Sequence, residues 1–109
     1  MKLSCLRIMR PQEIRHGSRV FLLLRPLTVR RHRERGLWIH EVRPLSILAY
    51  GPSIETSWES LCMDVATLWD VIANERDEEL TGDARNLKAK LLCYVRQPVE
   101  VNGKATAKP

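Results

Sequence analysis

The feature that most constrains the fold is a change of periodicity near Ser53. Before this residue, short apolar stretches alternate with turn signals, a pattern that favours β-strands. After it, apolar residues recur every three or four positions from Ile54 to Ile72, which is the spacing of one face of an α-helix. The chain is therefore predicted to form a small sheet first and a long amphipathic helix after it.

Three stretches before Ser53 are predicted as strands of an antiparallel meander, namely residues 20–24, 37–42 and 45–50. The polar segment 32–36 ends in Gly36 and is predicted as the hairpin turn between the first two strands. Pro26 cannot donate to a strand ladder, so it marks an edge or a break. Residues 1–9 leave two interpretations open, a fourth strand or a poorly ordered start.

Two helices are predicted after the sheet. The first covers residues 54–76, with Ser53 as its N-cap, and the second covers residues 82–95, with Thr81 as its N-cap. The expected fold class is α+β, a three-stranded antiparallel sheet packed by one long helix and followed by a shorter C-terminal helix. Residues 1–97 are expected to form a single domain. Residues 98–109 are expected to be a polar, disordered tail that includes a short extended stretch at 99–101.

Charge is distributed unevenly along the chain. Residues 1–45 have eleven basic and three acidic side chains, a net charge of +8, whereas residues 46–95 have a net charge of −5. The densest cations are Arg30, Arg31, Arg33 and Arg35. At a hairpin tip they are able to reach the phosphates of a nucleic acid. Few aromatic residues lie nearby for base stacking, so a solubilising or partner-facing turn is the favoured interpretation.

The sequence contains no pattern typical of catalysis or metal binding. No nucleophile elbow, zinc-protease helix or phosphate-binding glycine loop is present. His40 and Glu41 are neighbours on a predicted strand and therefore point to opposite faces of the sheet. Cys62 and Cys93 belong to no CxxC pair and are predicted to pack in the core as small hydrophobic side chains. We therefore expect no enzymatic activity, no metal and no cofactor.

The cysteine content and the length of the apolar runs predict the cellular compartment. The three cysteines, with Cys5 as the third, are too few and too widely spaced for a disulfide framework. No apolar run reaches the ~18–20 residues that span a bilayer. A cytoplasmic protein without membrane contact is expected.

Trp58 and Trp69 share one face of the first helix and are predicted to lie in the core, or else in a seam between two helices of a dimer.

The order of elements resembles that of the HicB-like antitoxin family over residues 18–95. The resemblance depends on three features: a glycine-led strand at residues 36–41, the strand-ending Gly51, and the helix start at residues 53–55. The acidic junction and second helix at residues 77–92 also resemble the end of that domain. The resemblance implies a truncated ribonuclease-H-like fold that lacks the catalytic carboxylates of ribonuclease.

Members of this family neutralise a small ribonuclease toxin and self-associate. The resemblance therefore implies a non-enzymatic binding protein, a homodimer with a small basic toxin-like partner. An acidic surface suits such a partner, and the residues expected to form it are Glu75, Asp77, Glu78 and Glu79. Many members also have a C-terminal DNA-binding motif, which is not expected after Val95. Nucleic-acid binding by Arg30, Arg31, Arg33 and Arg35 is the alternative function.

Overall fold

The computed structural model describes residues 6–101 of the 109-residue chain. Within this part lie seven strands and two helices, in the order β1 (Arg7–Met9), β2 (Glu13–His16), β3 (Arg19–Leu22), β4 (Val29–Glu34), β5 (Leu37–Val42), β6 (Ile47–Gly51), α1 (Ile54–Leu68), α2 (Gly82–Tyr94) and β7 (Val99–Glu100). The predicted α+β class with antiparallel strands is confirmed. The predicted disordered tail falls mostly outside the described residues, although its residues 99 and 100 form β7.

The larger sheet has the strand order β1-β4-β5-β6, and each neighbouring pair is antiparallel. Its last three strands form a meander, as the sequence predicts, and β1 is the fourth, N-terminal strand. The first strand of the meander is β4, however, and not residues 20–24. The expected hairpin turn is limited to Arg35 and Gly36, both at positive φ. The charged β4 forms a strand because β5 places Glu41 and His40 opposite two of its arginines.

The smaller sheet has the order β2-β3-β7, and its strands are also antiparallel. The predicted strand at residues 20–24 is β3, so its expected pairing with β5 is wrong. The proline break at Pro26 lies between β3 and β4, and residues 25–28 belong to no strand. The chain therefore passes from one sheet to the other at this break. Ile14 and Phe21 form a fully buried cross-strand pair of the smaller sheet.

Helix α1 begins at the predicted residue. The Ser53 Oγ accepts a hydrogen bond from the Thr56 amide, and the Ser53 amide donates to the Thr56 Oγ1, which together make a capping box. A π-helical turn, Trp69–Ala73, continues the helix and ends at Asn74. The predicted end at residue 76 is slightly too late, because the helical turn already ends at Asn74; a separate 3-10 turn, Asp77–Glu79, follows.

One face of the larger sheet packs against α1, and we call it the inner face. It contains His40, Ala49 and Gly51, whereas the opposite, outer face contains Ile39 and Tyr50. The core lies between the inner face, α1 and the smaller sheet. Its members are the buried residues of these three layers, together with the end of α2: Ile14, Phe21, Leu27, Val29, Val42, Leu45, Ile47, Ala49, Leu61, Cys62, Val65, Ala66, Trp69, Leu91 and Val95.

Helix α2 packs against the π-helical turn and against the 3-10 turn Arg43–Leu45. The Thr81 Oγ1 accepts from the Ala84 amide at 3.2 Å, which confirms the predicted N-cap. Cys62 is buried in α1 as predicted, but the predicted burial of Cys93 is wrong. The reason is that α2 buries a narrow stripe, in which Leu91 alone of its residues is fully covered.

Candidate functional site

The four arginines predicted as a cationic site do not share one face. Successive residues of a strand point to opposite faces, so Arg31 and Arg33 lie on the inner face of the larger sheet and Arg30 on the outer face. Arg35 lies in the turn after β4, with a φ of 52°. The structure thus brings Arg31 and Arg33 together and separates them from Arg30.

Arg7, which the sequence pattern did not indicate, joins the inner-face arginines. It lies directly opposite Arg31 in the β1–β4 pair, and like charges in this arrangement destabilise a strand pair. Within residues 6–101, no carboxylate lies within 4.0 Å of the Arg7, Arg31 or Arg33 guanidinium groups. Arg30 differs, because its Nε is 3.8 Å from the Glu41 Oε1.

Aromatic rings lie beside these arginines. The Arg33 guanidinium lies over the Trp38 ring, with its carbon 5.6 Å from the ring centroid, a cation–π geometry. Trp58 of α1 is half-buried and makes an edge-to-face contact with His40, with ring centroids 5.4 Å apart. We call Arg7, Arg31, Arg33, Trp38 and Trp58 the arginine groove.

His40 is fully buried and links the groove to the core. Its Nε2 is 3.4 Å from the Arg31 Nε, and its Nδ1 is 2.7 Å from the Ser57 Oγ. The Ser57 hydroxyl donates to the Ala49 carbonyl oxygen at 3.2 Å. Because Arg31 Nε–H only donates, His40 Nε2 accepts, and the His40 Nδ1–H donates to Ser57. The three hydrogen bonds that link Arg31, His40, Ser57 and the Ala49 carbonyl all form when His40 is neutral.

This arrangement does not activate Ser57 as a nucleophile. A histidine that acts as a general base must accept the hydroxyl proton, whereas here the Ser57 proton points to the Ala49 carbonyl. Both side chains are fully buried. Burial also raises the pKa of the Cys62 thiol to about 11, so this thiol is neutral and weakly nucleophilic near pH 7. The chain of hydrogen bonds instead holds Arg31 in place.

The stability of the domain is expected to fall in mild acid because of His40. Burial, and secondly the charge of Arg31, lowers the pKa of His40 from 6.5 to about 4. Between these values the unfolded chain binds a proton that the folded chain does not, so stability falls as the pH drops. We expect a loss of about 2 kcal/mol between about pH 7 and about pH 5, measured by urea denaturation. A His40→Gln variant should lose this part of the pH dependence, and equal wild-type stability at both pH values would contradict it.

A pocket of about 490 Å³ lies beside Trp58, between β1, β4 and the first turn of α1. Arg10, Arg31 and Glu55 contribute charged groups, and the other lining residues are Met9, Pro11, Ile54 and Trp58. A second pocket, of about 550 Å³, is also lined by Trp58, together with Arg15, His16 and Glu59 among others. Trp58 therefore lines both pockets.

The predicted acidic surface is exposed but partly neutralised by its own chain. The Asp77 carboxylate accepts from Lys88 Nζ at 2.9 Å, and the Glu79 carboxylate from Arg76 at 3.1 Å. Lys88 also donates to the Glu75 carbonyl oxygen. Within residues 6–101, the Glu75 and Glu78 carboxylates have no ion-pair partner. The structure therefore leaves two of the four acids available to a partner.

The outer face of the larger sheet exposes large apolar side chains. Four of them are 40–50% exposed: Ile8, Leu37, Leu48 and Tyr50. Ile39 of β5 lies on the same face but is only 4% exposed, although it is not part of the core cluster between the sheets and α1. One row of neighbouring side chains crosses the four strands on this face, and it consists of Ile8, Arg30, Glu41 and Leu48. The sequence pattern did not indicate this row because its members come from four separate strands.

Within residues 6–101, no three metal-binding side chains lie close enough together to hold an ion, and no helix there has the length and apolar character of a membrane span. The chain matches no family model, and no curated protein or solved structure matches it. Function is therefore inferred from the chemistry of its surfaces.

Proposed function

We propose that the chain is a non-enzymatic binding protein that acts as a homodimer, joined through the outer face of its larger sheet. This proposal agrees with the resemblance to the HicB-like antitoxins, which self-associate. The observation that carries it is the order of side chains in the row across the four strands. That order is apolar, positive, negative, apolar.

This row is complementary to itself. A two-fold axis parallel to the strands, between β4 and β5, reverses the row in the second copy. Ile8 of one protomer then faces Leu48 of its partner, and Arg30 faces Glu41. Interfaces of this kind are self-complementary by symmetry and are the commonest in homo-oligomers. Two sheets packed face to face at about 10 Å give such an arrangement.

A second copy of the chain would also give the Arg30–Glu41 pair better ionic partners. Arg30 Nε is buried and has no hydrogen-bond partner within residues 6–101, and its nearest carboxylate oxygen is 3.8 Å away. Glu41 is shared with Arg43 at 3.3 Å. Removing water from a poorly paired charge is costly unless a better partner is supplied. In the proposed dimer, each Arg30 lies between two Glu41 carboxylates.

Light scattering after gel filtration tests the dimer. We expect the wild-type protein to have a molar mass in solution twice the 12.6 kDa of one chain. Leu48→Lys should give a folded monomer, because it replaces an apolar contact with a charge that would lose its water opposite the apolar Ile8 of the partner.

Val71→Lys is the matched control, since Val71 is equally apolar and is 59% exposed on the π-helical turn, away from the outer face. It should remain dimeric. A monomeric wild-type chain, or a Leu48→Lys variant that remains dimeric, would contradict the proposal.

A small basic toxin-like protein is the proposed partner of this dimer. The exposed carboxylates of Glu75 and Glu78 support it, because they have no ion-pair partner within residues 6–101. Tagged wild-type chain should retain such a protein in a salt-sensitive way, and a Glu75→Lys/Glu78→Lys variant should not. Equal retention by both chains would remove these two residues from the proposed interface.

A further inference from the structure

We infer that the arginine groove binds single-stranded nucleic acid, with one base in the pocket beside Trp58. This site lies on the inner face and does not depend on the proposed dimer, which uses the outer face. The three guanidinium groups of Arg7, Arg31 and Arg33 have no carboxylate of residues 6–101 within 4.0 Å. A backbone of phosphates supplies the missing negative charge.

The guanidinium of Arg31 is held in place for such a ligand. Its Nε donates to the buried His40, so the side chain is fixed from the core. Its two terminal amino groups have no hydrogen-bond partner within residues 6–101, and Arg31 lines the pocket beside Trp58. Terminal amino groups of arginine bind phosphate oxygens in a bidentate way. A cation that is already ordered loses little entropy when it binds.

The second part of the site is a flat aromatic wall. His40 contacts the Trp58 ring edge to face, so the same buried histidine holds both the cation and the aromatic ring. The pocket of about 490 Å³ that Trp58 lines also has apolar lining from Met9, Pro11 and Ile54. Its volume of about 490 Å³ is ample for one base and its sugar. The Glu55 carboxylate at the rim is an acceptor for the amino group of a base.

These features favour a single strand over a duplex or an acidic peptide. In a duplex the faces of the bases are stacked on each other, so none is free to lie against Trp58. An acidic peptide would use the arginines but has no flat group for the aromatic wall. Stacking of bases on aromatic side chains beside a basic surface is the usual way in which single strands are bound.

Fluorescence anisotropy with a labelled single-stranded oligonucleotide of about 12 nucleotides tests the inference. An Arg7→Glu/Arg33→Glu variant should bind at least about tenfold more weakly, with a shallower dependence on salt, because phosphate contacts are lost. Both side chains are exposed, so folding should be preserved. The matched control is Lys90→Glu/Arg96→Glu, which makes the same change of charge at two other exposed positions and should retain wild-type affinity within about threefold.

A second variant tests the base pocket. Trp58→Leu should weaken binding roughly tenfold through lost stacking but leave the salt dependence unchanged, since no phosphate contact is removed. Trp58→Phe should restore most of the affinity. Circular dichroism verifies that both variants fold. The inference is wrong if the wild-type chain binds no oligonucleotide, if the control variant loses affinity equally, or if duplex DNA or polyglutamate competes as well as the single strand.

Discussion

Replacing Leu61 with aspartate is expected to abolish folding of the domain. Leu61 lies on the buried face of α1 and has no exposed surface. The change removes a packed leucine and leaves an unpaired carboxylate in the core, which together cost about 5 kcal/mol or more. Domains of this size have a total stability of about 5–15 kcal/mol. Circular dichroism and a thermal scan should therefore show no cooperative transition.

Met63→Asp is the matched control for this prediction. Met63 lies on the same helix but is 49% exposed, so a charge there remains in water and should change stability by less than about 0.5 kcal/mol. If the Leu61→Asp chain unfolds cooperatively near the wild-type temperature, the assignment of the buried face of α1 is wrong.

Replacing Gly51 with alanine is the second change with a large expected effect. Gly51 ends β6, and α1 begins directly above it. An alanine Cβ would lie 2.5 Å from the Ser57 amide nitrogen and 2.5 Å from the Thr56 Oγ1. Because backbone atoms form part of this contact, the helix must move away from the sheet. We expect a loss of about 3 kcal/mol and a melting temperature about 15 °C lower.

Gly82→Ala provides the comparison for the same chemical change. Gly82 is the first residue of α2, and an added Cβ would meet no atom within 4 Å. Alanine there should be neutral or stabilise the domain by about 0.5 kcal/mol, since it restricts the unfolded chain. Equal melting temperatures for the Gly51→Ala and wild-type chains would show that the helix start tolerates a side chain.

The helices were predictable because their signals are local. Ser53 and Thr81 are capping residues placed immediately before periodic apolar stretches, and both cap as expected. Strand pairing was not predictable in the same way. The true first strand of the meander, β4, is rich in arginine and resembles a turn by composition. Its stability as a strand depends on Glu41 and His40 across the β4–β5 pair, which only the tertiary register reveals.

The candidate sites also combine features that local sequence predicts with features that depend on tertiary structure. Strand alternation correctly predicted that His40 and Glu41 point to opposite faces. The arginine groove, however, needs β1 to pair with β4, so that Arg7 meets Arg31. The contribution of Trp58 to two pockets also depends on how α1 lies on the sheet. No spacing within one segment of sequence contains that information.

Strand β7 has a consequence for the order in which the fold is completed during synthesis. It pairs with β3, and the Ser18 hydroxyl donates to the Glu100 carboxylate across a separation of 82 residues. A ribosome that adds residues one at a time must therefore release almost the whole described chain before β3 gains its second neighbour. Until then the nascent polypeptide presents an open strand edge, which is the kind of surface that chaperones shield from aggregation.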